Sequence, residues 1–270
     1  MAGRLAAFDQ VGFSYDGRPI LEDASLTLSA GEVVGLLGLN GTGKTTTMRL
    51  IAGILDPERG QVVRAYRTLG YLPEERGLYR RLTVERYLRF VGELNGLSKT
   101  AIRPTTDRLI EQFRLEEYRG RRIEALSKGN QQKVQLAATL VPSPDLMLWD
   151  EPFSGLDALN QDLLLDVLRD LRSRGVAVLL STHRLDDLEL LADRTYILAQ
   201  RQFVEYVPPQ KPSLYRVRFD QNGDDRSVEV APDQLARQVQ ECAARGWPVL
   251  SVTPKTGLES IFRELLGEGA

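Results

Sequence analysis

Apolar and polar positions alternate at short period from Leu5 to Gly38, LAAFDQVGFSYDGRPILEDASLTLSAGEVVGLLG, with breaks at Asp16-Gly17 and Ala30-Gly31. This pattern predicts antiparallel strands leading into a more uniformly apolar strand, VVGLLG. The helical spacing of TTMRLIAGIL predicts a helix that stops near Gly53. Pro57 to Gly60 read as a turn before two strands, VVRAY and TLGYLP. From Thr83 to about Arg122 the period lengthens. TVERYLRFVGELNGL and PTTDRLIEQFRLEEY carry apolar residues at helical spacing with charges between, and β-branched runs are scarce, so the segment reads as a helical insert. Strand-like runs return as DLMLWD (145–150), VAVLLST (176–182) and TYILAQ (195–200), with QDLLLDVLRDLRSRG as a helix between the first two. Strands alternating with helices imply a parallel sheet covered on both faces.

A composition break at Pro208, Pro209 and Pro212 separates this body from a different pattern. A hairpin around Asn222-Gly223, the helix PDQLARQVQECAARG, the strand WPVLSVTP and the helix GLESIFRELLG form a ββαβα unit of about sixty residues, near the lower size for a domain that folds alone.

At 270 residues a large α/β body with this appendage has ample core. A net charge of -2 and a pI near 5.7 leave no global basic footprint, so no nucleic acid is expected as the main partner. One cysteine, Cys242, rules out an internal disulfide and reads as a small buried apolar residue, consistent with a reducing compartment. No apolar run reaches the length needed to span a bilayer, and the N-terminus lacks a signal-peptide core. Any membrane role must come through a partner.

The chemistry is concentrated in short strings. Residues 38–45 read GLNGTGKT, an unbroken G-x-x-x-x-G-K-[ST] between the strand VVGLLG and a helix. That is a phosphate-binding loop in its required setting. Gly38, Gly41 and Gly43 are expected to take backbone angles that a Cβ disfavours. Leu39, Asn40, Thr42 and Thr46 then join them in offering N–H groups to phosphate at the positive end of the helix. Lys44 adds a charge between the β- and γ-phosphates, and the Thr45 hydroxyl is placed for Mg²⁺. A second acid is needed at the end of a neighbouring buried strand, and DLMLWDEP supplies Asp150, with Glu151 placed to polarise the attacking water. In LSKGNQQKV, Ser127 and Gly129 open a helix and offer a hydroxyl and free N–H groups to an anion.

Taken in order, the P-loop, helical insert, LSKGN, DLMLWDEP, SGLD and STH resemble the nucleotide-binding subunits of ATP-binding-cassette (ABC) transporters over residues 1 to about 200. GYLPEERGLY, DEPFSGLD and the ββαβα tail further resemble the ATPases of bacterial ABC-2-type exporters, the sodium- and drug-efflux group. The resemblance implies an α/β P-loop NTPase fold: an ABC ATPase core over 1–82 and 122–207, including an N-terminal antiparallel β subdomain, a helical subdomain over 83–121, and a small C-terminal α+β domain over 213–270. It makes Tyr15 the aromatic that stacks on adenine. Ser127, Gly129 and Asn130 become the signature that reaches the γ-phosphate held by the other protomer, and Ser154, Gly155, Leu156 and Asp157 the loop crossing the dimer interface. His183, the only histidine, becomes the switch histidine.

Two positions depart from the commonest pattern. The signature reads LSKGN, with Lys128 and Asn130 as substitutions that leave backbone donation intact. Glu74 stands where most members carry the glutamine that touches Mg²⁺, with Glu75 as its neighbouring alternative. A carboxylate still ligates magnesium, and its added charge beside the γ-phosphate bears on turnover.

The implied activity is hydrolysis of ATP with Mg²⁺, with Lys44, Glu151 and His183 as catalytic residues and Thr45, Glu74 and Asp150 at the metal. Two subunits would close over two ATP molecules, most economically as a homodimer, otherwise as a heterodimer with a second ATPase subunit. They would drive a separate membrane permease from the cytoplasmic face of the membrane, the chain being peripheral there. The permease groove is expected between the sheet core and the helical insert, lined by Leu78 and Tyr79. Two other readings stand beside this one. A soluble cassette ATPase of translation or DNA repair would need two cassettes or a long coiled-coil insert, and the chain has one cassette and an insert of about forty residues. A P-loop kinase leaves the signature and His183 unexplained.

Overall fold

A computed structural model describes residues 3–75, 77–153, 158–183, 185–208, 214–255 and 257–265. The chain begins with two long strands, β1 (Arg4–Tyr15) and β2 (Arg18–Ser29), then the short β3 (Val33–Leu37), helix α1 (Lys44–Ile51), β4 (Arg59–Arg64) and β5 (Leu69–Leu72). The insert supplies α2 (Val84–Leu94) and α3 (Lys99–Gln112), followed by α4 (Lys128–Leu140). Strands and helices then alternate: β6 (Leu146–Asp150), α5 (Ala158–Ser173), β7 (Ala177–Ser181), α6 (Leu185–Leu191), β8 (Arg194–Ala199) and β9 (Gln202–Tyr206). The C-terminal unit comprises β10 (Leu214–Gln221), β11 (Asp224–Val230), α7 (Leu235–Ala244), β12 (Val249–Lys255) and α8 (Leu258–Leu265).

The described strands form three sheets. The central one runs β5-β6-β7-β3-β8-β9, parallel except for the antiparallel edge β9. Every residue of β3, β6 and β7 is buried, as uninterrupted apolar strands require when helices and a second sheet cover both faces. The second sheet, β2-β1-β4, is antiparallel and packs Phe8, Phe13, Leu21 and Leu26 with Leu36 and Met48 beneath β3 and α1. Arg194 fastens the two sheets. Its guanidinium bonds Glu32 at 2.9 Å, Glu205 at 2.6 Å and the Thr27 carbonyl of β2 at 2.5 Å. The opposite face of the central sheet holds the main core, around Phe113, Trp149, Leu164 and Leu188.

Two expectations need correction, and one strand was not predicted. Gly60 lies inside β4 and not in a turn, at a register shift between Asp9 and Gly12 of β1. The second insert helix starts at Lys99, with Ser98 as its N-cap accepting from Ala101 N–H at 3.2 Å, and runs through Pro104. The antiparallel edge strand β9 was invisible in QFVEY, whose exposed face gives little period. The C-terminal ββαβα order is as expected, with the sheet β11-β10-β12 over α7 and Cys242 buried and unpaired in a bridge. Among the described residues no helix is long and apolar enough to cross a membrane.

Candidate functional site

The P-loop spans residues 38–43 between the end of β3 and the start of α1. Gly41 and Gly43 take φ of 80° and 115°, and a Cβ at Gly43 would stand 2.7 Å from Ile20 Cγ2. Only glycine meets both conditions. Gly38 departs from the expected reason: its φ is not left-handed, and glycine is required there because a Cβ would approach Thr42 Oγ1 to 2.6 Å and the Leu198 carbonyl to 3.2 Å. Thr42 Oγ1 donates to the Leu39 carbonyl at 2.8 Å and closes the loop. Lys44 is 7% exposed, and its ammonium donates to the carbonyls of Gly38 at 2.8 Å and Leu39 at 3.2 Å. No side chain caps α1 and no acid occupies its first turn, so its positive end is left to face an anion.

Opposite the loop, β6 ends in Asp150, 2% exposed. Both carboxylate oxygens are held by hydroxyls: Thr45 Oγ1 donates to Oδ2 at 2.6 Å and Ser181 Oγ to Oδ1 at 2.5 Å. Glu151 follows with φ 51°, and its N–H is shared between the Ser181 carbonyl at 3.2 Å and Ser181 Oγ at 3.1 Å. His183 Nδ1 lies 3.0 Å from Glu151 Oε2. Burial and the charge of Asp150 push the Tyr71 phenol above its ordinary value, with Arg49 opposing.

One cleft of about 420 Å³ is walled by Tyr15, Ile20, Asn40, Gly41, Gly43, Lys44, Thr45, Thr46, Glu74, Asp150, Glu151 and His183. Tyr15 is 39% exposed and braced edge-on by Phe13, ring centroids 4.9 Å apart, which leaves an aromatic surface toward the opening. Gly38, Leu39 and Thr42 shape the loop without lining this wall. Glu74 is exposed at the cleft, and its loop is tied to α4 by Gln135 Nε2, which donates to the Pro73 carbonyl at 3.4 Å and the Glu75 carbonyl at 3.3 Å. Among the described residues no group of three His, Cys, Asp or Glu is gathered to hold a metal by protein ligands alone. The Thr45 hydroxyl and Asp150 carboxylate nevertheless form a hard oxygen pair of the kind Mg²⁺ uses when phosphates and water complete its shell.

Ser127, Gly129 and Asn130 do not reach this cleft. Ser127 caps α4 by accepting from Asn130 N–H at 3.3 Å, and both Ser127 and Lys128 are exposed. Gly129 abuts α5, where a Cβ would meet Asn160 Nδ2 at 3.2 Å. Ser154, Gly155, Leu156 and Asp157 lie outside the described residues. A groove of about 270 Å³ does run between β5 and the helices α2 and α4, lined by Tyr71, Pro73, Tyr87, Val91 and Gln135 among others. Leu78 and Tyr79 do not line it. Leu78 packs into the main core, and Tyr79, 59% exposed, rests against Phe90 at 5.3 Å. Ser181 was not singled out from sequence beyond its place in STH, since its contact with Asp150 depends on β6 and β7 being neighbours in register.

Comparison with known proteins gives a consistent result. The ABC transporter family model matches residues 21–154. An uncharacterized ABC transporter ATP-binding protein of Methanocaldococcus jannaschii is 43% identical over 192 residues, 71% of this chain and 73% of that one. The lipopolysaccharide export system ATP-binding protein LptB of Haemophilus influenzae is 35% identical over 212 residues, 73% of this chain and 88% of its own. A solved structure of an ATP-binding subunit of an ABC transporter superposes with TM-score 0.69 at 30% identity, covering 87% of this chain and 93% of the other.

Proposed function

This chain belongs to the ABC transporter ATP-binding subunits, which hydrolyse ATP to drive transport, and we propose that the cleft around Lys44, Asp150, Glu151 and His183 is where it does so. The observation that carries the assignment is the 3.0 Å contact between Glu151 and His183 on the same wall as the P-loop. Tyr15 stacks on adenine. The N–H groups of residues 38–46 cradle the β- and γ-phosphates, and the Lys44 ammonium exchanges its loop carbonyls for phosphate oxygens. Glu151 takes a proton from water as the water oxygen bonds to the γ-phosphorus and ADP departs with the electron pair of the broken bridge. His183 holds Glu151 in line. Thr45 and Asp150, with Glu74 nearby, would hold Mg²⁺, which would neutralise charge on the phosphates.

Family members work with a membrane permease component. We assign its docking to the groove between β5, α2 and α4, because the Glu74 loop links that groove to the cleft through Gln135. Ser127, Gly129 and Asn130 stand off the cleft of their own protomer, which supports their use in trans, in a homodimer closed over two ATP molecules. Such closure is a population shift, since the triphosphate touches both subunits only in the closed state. The similarity to a lipopolysaccharide export ATPase supports outward transport. Residues 213–270 are read as an accessory domain, and 83–121 as the helical subdomain.

The test is the ATPase rate of the purified chain against protein concentration, with Glu151→Gln followed by size-exclusion chromatography with and without ATP·Mg²⁺. The expected results are a rate that climbs faster than linearly and a variant trapped as an ATP-dependent dimer. A linear rate from a monomer, with no dimer in the variant, would refute the homodimeric sandwich.

A further inference from the structure

Ser181 is fully buried at the last rung of β7, beside Asp150 across the parallel β6–β7 ladder. Its hydroxyl has two contacts. It donates to Asp150 Oδ1 at 2.5 Å, within the range of a charge-assisted O–H···O⁻ bond, and it accepts from the N–H of Glu151 at 3.1 Å. One oxygen therefore touches both Asp150 and Glu151, two of the three acids of the cleft. Thr45 supports the other Asp150 oxygen at 2.6 Å, but Thr45 faces the phosphate loop. The Thr45 hydroxyl can donate its proton to Asp150 while its lone pairs face a cation, so it is shared between the carboxylate and the metal position. Ser181, which is not among the residues walling the cleft, holds Asp150 from the neighbouring strand and has no part in the phosphate loop.

The second contact bears on Glu151, whose φ of 51° is a left-handed conformation that a residue with a Cβ adopts only when its surroundings impose it. The bifurcated N–H bond to the carbonyl and hydroxyl of Ser181 is such a constraint. It aims the Glu151 carboxylate at His183 and into the cleft.

We infer that Ser181 is a positioning residue for ATP hydrolysis, one hydroxyl that fixes the Asp150 carboxylate and the Glu151 turn together. The inference rests on the roles given above to Asp150 and Glu151. Outer partners of metal-holding carboxylates are worth about 10- to 100-fold in metal affinity. Ser181→Ala should accordingly weaken Mn²⁺ binding to the complex with a non-hydrolysable ATP analogue, read by electron paramagnetic resonance, by about 10-fold or more. Its kcat should fall by at least about 10-fold while KM for ATP stays within about 3-fold, as for a group that acts in the transition state. Ser181→Cys fills similar space with a weak donor and should follow alanine. Ser181→Thr restores the hydroxyl and should recover Mn²⁺ affinity.

Unchanged Mn²⁺ affinity with kcat within about 2-fold in both Ala and Cys variants would overturn the inference. So would a loss matched by an equal loss of fluorescent-ATP affinity in EDTA, which marks a merely structural role. Glu151→Gln run in parallel separates the two levels. If it abolishes turnover while Ser181→Ala does not, only the Ser181 role fails; if it turns over at the parent rate, the reading of the cleft fails and takes Ser181 with it.

Discussion

Glu151 is 10% exposed and His183 64% exposed, so the acid is largely withdrawn from water while its partner stands at the surface. On the proposed reading that carboxylate is the base for the attacking water, and the imidazole beside it fixes which of its oxygens faces the phosphate. Replacing the acid by its amide keeps shape and removes basicity. Glu151→Gln should lower kcat by about 10²- to 10⁴-fold with nucleotide affinity retained, compared by phosphate release and by fluorescent-nucleotide titration. If the pair acts as one unit, adding His183→Ala should slow Glu151→Gln no further. At this scale the sequence was most informative where chemistry is contiguous: GLNGTGKT and DE each put their functional atoms within a few bonds of one another. It was least informative for Ser181, thirty residues beyond Glu151 in the chain and brought to it only by strand register, and for Gly38, whose need for glycine comes from Thr42 and Leu198.

Among elements, α4 matters because Ser127 caps its start and Gln135 in its body ties down the Glu74 loop. Its seat on β5 is set at Gly70, where a Cβ would stand 2.6 Å from the Thr139 carbonyl and collide with Met147 Sδ. A backbone carbonyl cannot move aside alone, so the helix must lift. Gly70→Ala should cost about 1–3 kcal/mol in urea unfolding and lower ATPase activity, whereas an alanine at the open Gly96 position would test only φ. The helical insert was legible from its spacing, while its caps went unread: Thr83 accepts from Arg86 N–H and Ser98 from Ala101 N–H. The start of α3 was misjudged because Pro104 reads as a helix opener. It is tolerated within the second turn because it forfeits only one backbone bond there.

A second element rests on charge. Glu259 of α8 accepts from Lys255 at 2.6 Å and Arg216 at 3.0 Å, and these hold its carboxyl at about 2, below the ordinary 4.5. A lowered acid stabilises the fold above its unfolded value and loses that contribution as pH falls from about 4.5 through 2. Glu259→Gln should therefore lower the thermal midpoint at pH 7, taking one acid from Arg216, Lys255 and Arg263 while Glu229 still pairs with the first two, and the gap from the parent should narrow below pH 4.5.

On the scale of the whole molecule, the order of strands and helices announced a sheet covered on both faces, and the Pro-rich break announced a further unit. What could not be read was where that unit docks, because packing between distant segments leaves no period in either. Leu258 of α8 is 1% exposed and joins the main core with Leu188 of α6, while Ile261, Phe262 and Leu265 pack around them. The helix they cover begins two residues after His183, and Leu188 also fills the space left by Gly35 in β3, the strand that feeds the P-loop. The C-terminal unit thus shares a hydrophobic core with the elements on either side of the cleft. Leu258→Ala should cost about 2–5 kcal/mol, the range for a buried leucine that leaves a cavity, and should speed amide exchange in residues 185–191 before that in β6. Loss confined to residues 214–265, with α6 as protected as in the parent, would mean the unit is carried by the cassette without bracing it. Loss that spreads through α6 would make the fixity of His183 a property of the full chain.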